Sequence, residues 1–130
     1  MGRAVSRRAR VVTLEELSWW EPPGHPGALS KLLVNPATAP TRQFDFRISL
    51  YRPGGRVEDH VHERAEHVYY VLSGCGLMTL DGERTVVGPH RAVFIPPGVR
   101  HAFVNNGLDD LVFVVVTSPP GELPLGTDPE

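Results

Sequence analysis

The stretch Phe44-Asp45-Phe46-Arg47-Ile48-Ser49-Leu50 alternates apolar and polar side chains without a break. Successive side chains of an extended chain point to opposite faces, so this is the pattern of a strand with one buried side. On that reading Phe44, Phe46, Ile48 and Leu50 share the inner face, and Arg47 points outward. Toward the C-terminus the pattern repeats in short pieces. Arg52-Pro53-Gly54-Gly55-Arg56 is a turn. Strands are expected over residues 67–72, 77–80, 85–87, 91–95 and 101–104, with Asp81-Gly82 as a hairpin signal between two of them. Residues 111–117 form a continuous β-branched run, expected to be a fully buried strand. Toward the N-terminus, residues 29–34 read as one more strand. Thr13 followed by Glu16 reads as a capping box for a single helical turn. Three prolines and two glycines make residues 22–27 irregular, with Trp19 and Trp20 as buried anchors for that loop.

Composition supports the same class. Thirteen glycines and thirteen prolines are about one residue in five, and they are spread along the whole chain. Such punctuation breaks helices and frames strands. About eight short strands in 130 residues imply an all-β domain closed into a barrel or jelly roll, which removes exposed edges and can hold a ligand in its mouth. Residues 1–12, with Arg3, Arg7, Arg8 and Arg10, read as a tail. Residues 13–41 read as an N-terminal extension, 42–117 as the barrel and 118–130 as a second tail.

Thirteen basic against fifteen acidic residues leave a net charge of −2, which gives no general drive toward nucleic acid or an anionic membrane. No apolar run approaches the roughly 20 residues of a membrane helix. The single cysteine, Cys75, excludes an internal disulfide and a cysteine-based zinc cluster. Glu15-Glu16 stand where a secretory leader would be apolar, so a cytoplasmic location is expected.

Chemistry is carried by histidines. In His60-Val61-His62 two imidazoles project to the same side of an extended segment and can converge on one ion. His67, opening the next strand, and His101, on a distant one, would complete a set of four. Neutral imidazole suits divalent Mn, Fe, Ni, Cu and Zn alike, so the ligands do not name the metal.

The frame around these histidines resembles the cupin superfamily. Its first motif, G-x5-H-x-H-x3–4-E-x6-G, is matched by Gly54, His60, His62 and Gly74. Its second, G-x5-P-x-G-x2-H-x3-N, is matched by Pro96, Gly98, His101 and Asn105. Residues 69–74 and 94–101 are worded as in small one-domain cupins, and the resemblance spans residues 42–117. It implies a double-stranded β-helix, or jelly roll, binding one divalent transition metal. Two positions depart from the pattern. His90 stands where the second motif opens with glycine, and Gly88 is a candidate to serve that turn instead. His67 stands where the family usually has glutamate, with Glu66 beside it. Neighbours on a strand face opposite ways, so only one reaches the ion unless the strand is bulged. Gly74 sets the register in favour of His67, leaving Glu66 as the alternative ligand.

Four neutral imidazoles leave a divalent ion with its full +2 charge, a stronger Lewis acid than a site with one carboxylate. Two enzyme classes follow. The resemblance to small cupins makes the first expectation an oxygenase that cleaves a C–C or C=C bond of a small organic substrate. The alternative is Lewis-acid isomerase, lyase or cyclase chemistry. A non-catalytic small-molecule-binding module is the third reading. Strand parity places Tyr69 inward with His67, as a candidate general acid or base. Phe46, Ile48, Phe94 and Phe103, with Phe44, are candidates to line an apolar pocket. A homodimer is expected, with residues 29–34 able to add to a partner's sheet edge.

Overall fold

The computed structural model describes residues 9–122. Arg3, Arg7 and Arg8 of the basic start, and Pro124 and Pro129 of the proline-rich end, lie outside the described residues. Among the described residues nine strands follow one another: β1 (Ala28–Val34), β2 (Asp45–Tyr51), β3 (Arg56–His60), β4 (Glu66–Ser73), β5 (Gly76–Leu80), β6 (Glu83–Val87), β7 (Ala92–Ile95), β8 (His101–Val104) and β9 (Leu111–Ser118). They form a five-stranded sheet in the order β1-β2-β9-β4-β7 and a four-stranded sheet in the order β3-β8-β5-β6. Every pairing is antiparallel. This is the all-β jelly roll expected from the punctuation.

Directly opposed residues of an antiparallel pair share a face, so the register tells which side chains look inward. In the larger sheet, Asp45, Thr117, His67 and Ile95 form one row, and Arg47, Val115, Tyr69 and Val93 the next. Ser49, Phe113 and Val71 form a third row. These rows hold the buried residues and face the interior. The rows between them face out, with Phe46, Val116, Val68 and Phe94 in one and Ile48, Val114, Tyr70 and Ala92 in another.

The parity expected for β2 is therefore inverted. Phe46 and Ile48 do not line the interior, and Phe94 is 58% exposed on the outer face. Arg47 points in. Alternation shows that the two faces of a strand differ, but not which one meets the core. Here the inner face carries the polar residues because the barrel interior is itself polar at one end. Nor is β9 buried on both sides. It alternates buried and half-buried residues along its length, since its outer valines meet no second layer.

Below the polar end, aromatic rings fill the barrel. Phe113 lies 4.8 Å from Tyr51, 5.0 Å from Phe103 and 5.4 Å from Tyr69, ring centroid to ring centroid. Phe103 is thus core. Two turns explain the motif pattern. Gly74 has φ +81°, and a Cβ there would run into the backbone of Asp110 and Leu111, where β9 begins. His90 has φ +64°, so the left-handed conformation expected of the motif glycine is kept at His90 itself and not moved to Gly88.

The N-terminal segment follows a different logic from the one expected. Leu14–Glu16 is a single 3-10 turn, and the Thr13 side chain caps nothing. Trp19 and Trp20 are 41% and 48% exposed, so they do not anchor the loop by burial. Backbone pairing does that work. Trp20 N–H donates to Ser30 O at 3.0 Å, and Ser30 N–H returns a bond to Trp20 O at 2.8 Å. Further along, Arg56 N–H donates to Pro26 O and Glu58 N–H to Gly24 O, so the irregular loop covers the free edge of β3. β1 pairs with β2 of its own chain.

Candidate metal centre

A β-bulge places the first ligand. Pairing of β3 with β8 shifts register between Val57 and His60, leaving Glu58 and Asp59 both exposed and returning His60 to the inner side opposite His101. His62 follows two residues on, His67 is the second residue of β4, and His101 opens β8. The rings of His60 and His101 lie 4.1 Å apart, those of His62 and His67 4.7 Å, and those of His60 and His62 5.2 Å. One ring nitrogen from each of the four lies within 4.8 Å of the others. All four histidines singled out from the sequence are therefore brought together.

Their hydrogen bonds fix which nitrogens are free. His60 Nδ1–H donates to Glu58 O at 2.7 Å, and His101 Nδ1–H donates to Val99 O at 2.9 Å. A carbonyl can only accept, so in the neutral rings the Nε2 atoms of both residues carry lone pairs. His67 Nδ1 bonds Thr117 Oγ1 at 2.8 Å. That leaves His62 Nδ1, His67 Nε2 and His101 Nε2 buried with no hydrogen-bond partner. An unsatisfied buried polar atom costs about 1–3 kcal/mol, and an ion held between the rings would satisfy these together.

Electrostatics agree with that use. Burial, and then the neighbouring imidazoles, depress the proton affinity of His67 to about 2 and of His62 to about 4. Burial and His60 likewise bring His101 down to about 4. Burial lowers His60 as well. All four rings are thus neutral at pH 7, the form that ligates a metal. The donor set fits a divalent transition metal, and His60, His62, His67 and His101 are the residues that could hold it.

Glu66 is exposed and opposes Ser118, outside the cluster. Tyr69 sits on the inner face, 5.9 Å from the His67 ring and 6.4 Å from that of His101. Burial pushes its hydroxyl up to about 12, so it keeps its proton at neutral pH.

Sequence reading missed three neighbours of this centre. Thr117 holds His67, and its polar side chain at the end of an apolar run was the available signal. Arg47 was placed outward by the inverted parity. Glu122 had no local signal at all. Its carboxylate accepts the N–H groups of Arg64 and Ala65 and pairs with the Arg64 guanidinium at 3.6 Å. The chain after β9 therefore closes over the loop that carries His62. Burial alone would raise the Glu122 carboxyl, but the two backbone N–H bonds outweigh it and hold it below its usual range.

The family model for the Cupin domain matches residues 47–117, more than half of the chain, and the chain belongs to that family. It is 31% identical over 112 residues to Polyketide synthase CurC of Streptomyces cyaneus, covering 86% of this chain and 71% of that protein. Among solved structures, the polyketide cyclase RemF from Streptomyces resistomycificus aligns with a TM-score of 0.77 at 26% identity, over 94% of this chain and 89% of that one. KdgF from Halomonas sp. aligns with a TM-score of 0.76 over 88% and 96% of the two chains, and at 22% identity the likeness is one of fold.

Proposed function

We propose that this cupin is a metal-dependent enzyme acting on a small, enolisable organic molecule, by cyclisation, isomerisation or elimination without net redox change. The observation that carries this reading is the meeting of four neutral imidazoles with no carboxylate among them. An ion held there would act as a Lewis acid on a substrate oxygen. The protein supplies the rest. Carbonyl acceptors at Glu58 and Val99 hold the rings of His60 and His101 in one tautomer. Tyr69, kept protonated by burial, is a hydrogen-bond donor and the candidate to hold a proton near the reacting oxygen. Buried aromatic rings beneath it exclude water from that side. The likeness to CurC and RemF, a polyketide synthase protein and a polyketide cyclase, supports this class of chemistry.

Oxidative cleavage, the first expectation from the sequence, stands second. A donor set without an anionic ligand favours the lower oxidation state of an ion and so works against redox cycling. Elemental analysis of the protein as purified, with turnover of poly-β-ketones and polyphenols followed with and without O₂, separates the readings. Stoichiometric metal and O₂-independent product are expected. Product formed only with matching O₂ uptake would move the protein to the oxygenases, and a metal-free active protein would overturn both.

A further inference from the structure

Arg47 is the one cationic side chain on the inner rows of the larger sheet, opposite Val115 and, across β9, Tyr69. Its Nε is buried without a hydrogen-bond partner. Among the described residues, the ion pairs are Arg56–Glu58, Arg64–Glu122 and Arg100–Asp59, and Arg47 has none. One carboxylate is buried among the described residues, that of Asp45, two positions along the same face. Its Oδ2 accepts from Gly121 N–H at 3.2 Å, and it lies beyond ion-pair distance of Arg47. Groups that feel the Arg47 charge include His60, His62, His67, Tyr51 and Tyr69 around the interior and His25 on the loop before β1. None of these is anionic at neutral pH.

Arg47 as a whole is half-buried, and its one buried N–H, at Nε, lacks an acceptor, which is costly. An anion seated against the guanidinium would satisfy that N–H and pair with its charge. We propose that Arg47 binds a carboxylate of the substrate inside the barrel, beside the four-histidine centre, and that the substrate class is therefore a small carboxylic acid. The guanidinium fork matches a carboxylate with two parallel N–H···O bonds. Tyr69, Val93 and Val115 share its row and offer apolar surface to the body of the molecule. Held at one end by Arg47, the substrate would present its other oxygens to the imidazole centre in one orientation. The presence of a second anchor there rests on the proposed function, whereas the contact with Arg47 does not.

Benzoate and benzamide, equal in shape and different in charge, are the probes. Calorimetric titration at pH 7.5 uses the protein as purified and after chelator treatment, with metal content measured on each sample. Benzoate is expected to bind at least ten-fold more tightly than benzamide in both. The preference disappears in Arg47→Met, is partly kept in Arg47→Lys, and metal content does not change. Arg47→Gln, which keeps a polar side chain on the inner face, replaces Arg47→Met if that variant does not fold. Equal binding of the two probes to the unaltered protein, or a preference that Arg47→Met or Arg47→Gln leaves intact, overturns the proposal. Protein that carries no metal as purified, yet prefers benzoate, would sink the metal reading and uphold the Arg47 site.

Discussion

Thr117 Oγ1 lies 2.8 Å from His67 Nδ1, on the neighbouring strand and fifty residues away in sequence. The hydroxyl lets the Nδ1 side of the ring be satisfied while Nε2 faces the other three imidazoles. Bonds of this kind, made behind a ligand, orient the ring and typically change metal affinity by roughly 10- to 100-fold. Thr117→Val keeps the shape of the side chain and removes the bond. It should weaken metal binding by that order in a competition titration with a fluorescent chelator, with little change in the far-UV circular dichroism.

Removing a ligand should be more severe than removing its support. His62→Ala should abolish stoichiometric metal while the barrel still folds. Glu66→Gln should leave the ion in place, because that side chain is exposed outside the cluster. Inductively coupled plasma analysis of the two purified variants reads both outcomes. Full occupancy in His62→Ala would disprove the ligand assignment.

Metal-free protein should lose stability on mild acidification. In the unfolded chain the histidines take up protons near 6.5. In the fold, burial keeps His62 and His101 neutral down to about 4 and His67 down to about 2. Between those limits the unfolded state binds more protons, so stability falls as pH drops below 6.5 and is flat above it. Each histidine that stays neutral contributes a slope of roughly 1 kcal/mol per pH unit. Urea midpoints measured from pH 7.5 to pH 5 on chelator-treated protein should fall steadily, and a midpoint independent of pH would contradict the buried, neutral cluster.

Asn105 is a polar staple outside the site. It is fully buried, its Nδ2 donates to Tyr51 O and Asp109 O at 2.8 Å each, and its Oδ1 accepts from Gly107 N–H at 3.0 Å. Asn105→Ala would remove these three bonds, of which the one to Tyr51 O is buried. A buried group left unsatisfied costs about 1–3 kcal/mol, so the variant should lose about that much in equilibrium denaturation, without loss of the metal ligands.

Much of the fold was written in local chemistry. Glycine and proline spacing gives short strands, and Asp81-Gly82 marks the hairpin between β5 and β6 because a tight turn needs left-handed backbone, which both residues adopt. The histidines were legible for a similar reason: positions i and i+2 of an extended chain share a side, so His60 and His62 had to act together. The single helical turn at residues 14–16 was legible, but its Thr13 cap was not formed, and the two tryptophans were misjudged because backbone pairing of Trp20 with Ser30, invisible in the sequence, already holds that segment.

The amino-acid order by itself determined that this chain is all-β and that His60 and His62 act together, since both follow from short-range geometry, and the resemblance to the cupins implied that His67 and His101 join them. Only the tertiary structure decided which face of each strand is the inside. Alternation in Phe46-Arg47-Ile48 is symmetric under exchange of the two faces, and the choice between them is made by long-range register. Pairing of β2 with β9 and of β9 with β4 puts Arg47 in the row of Tyr69, and that turns an apparent surface arginine into a charge facing the site.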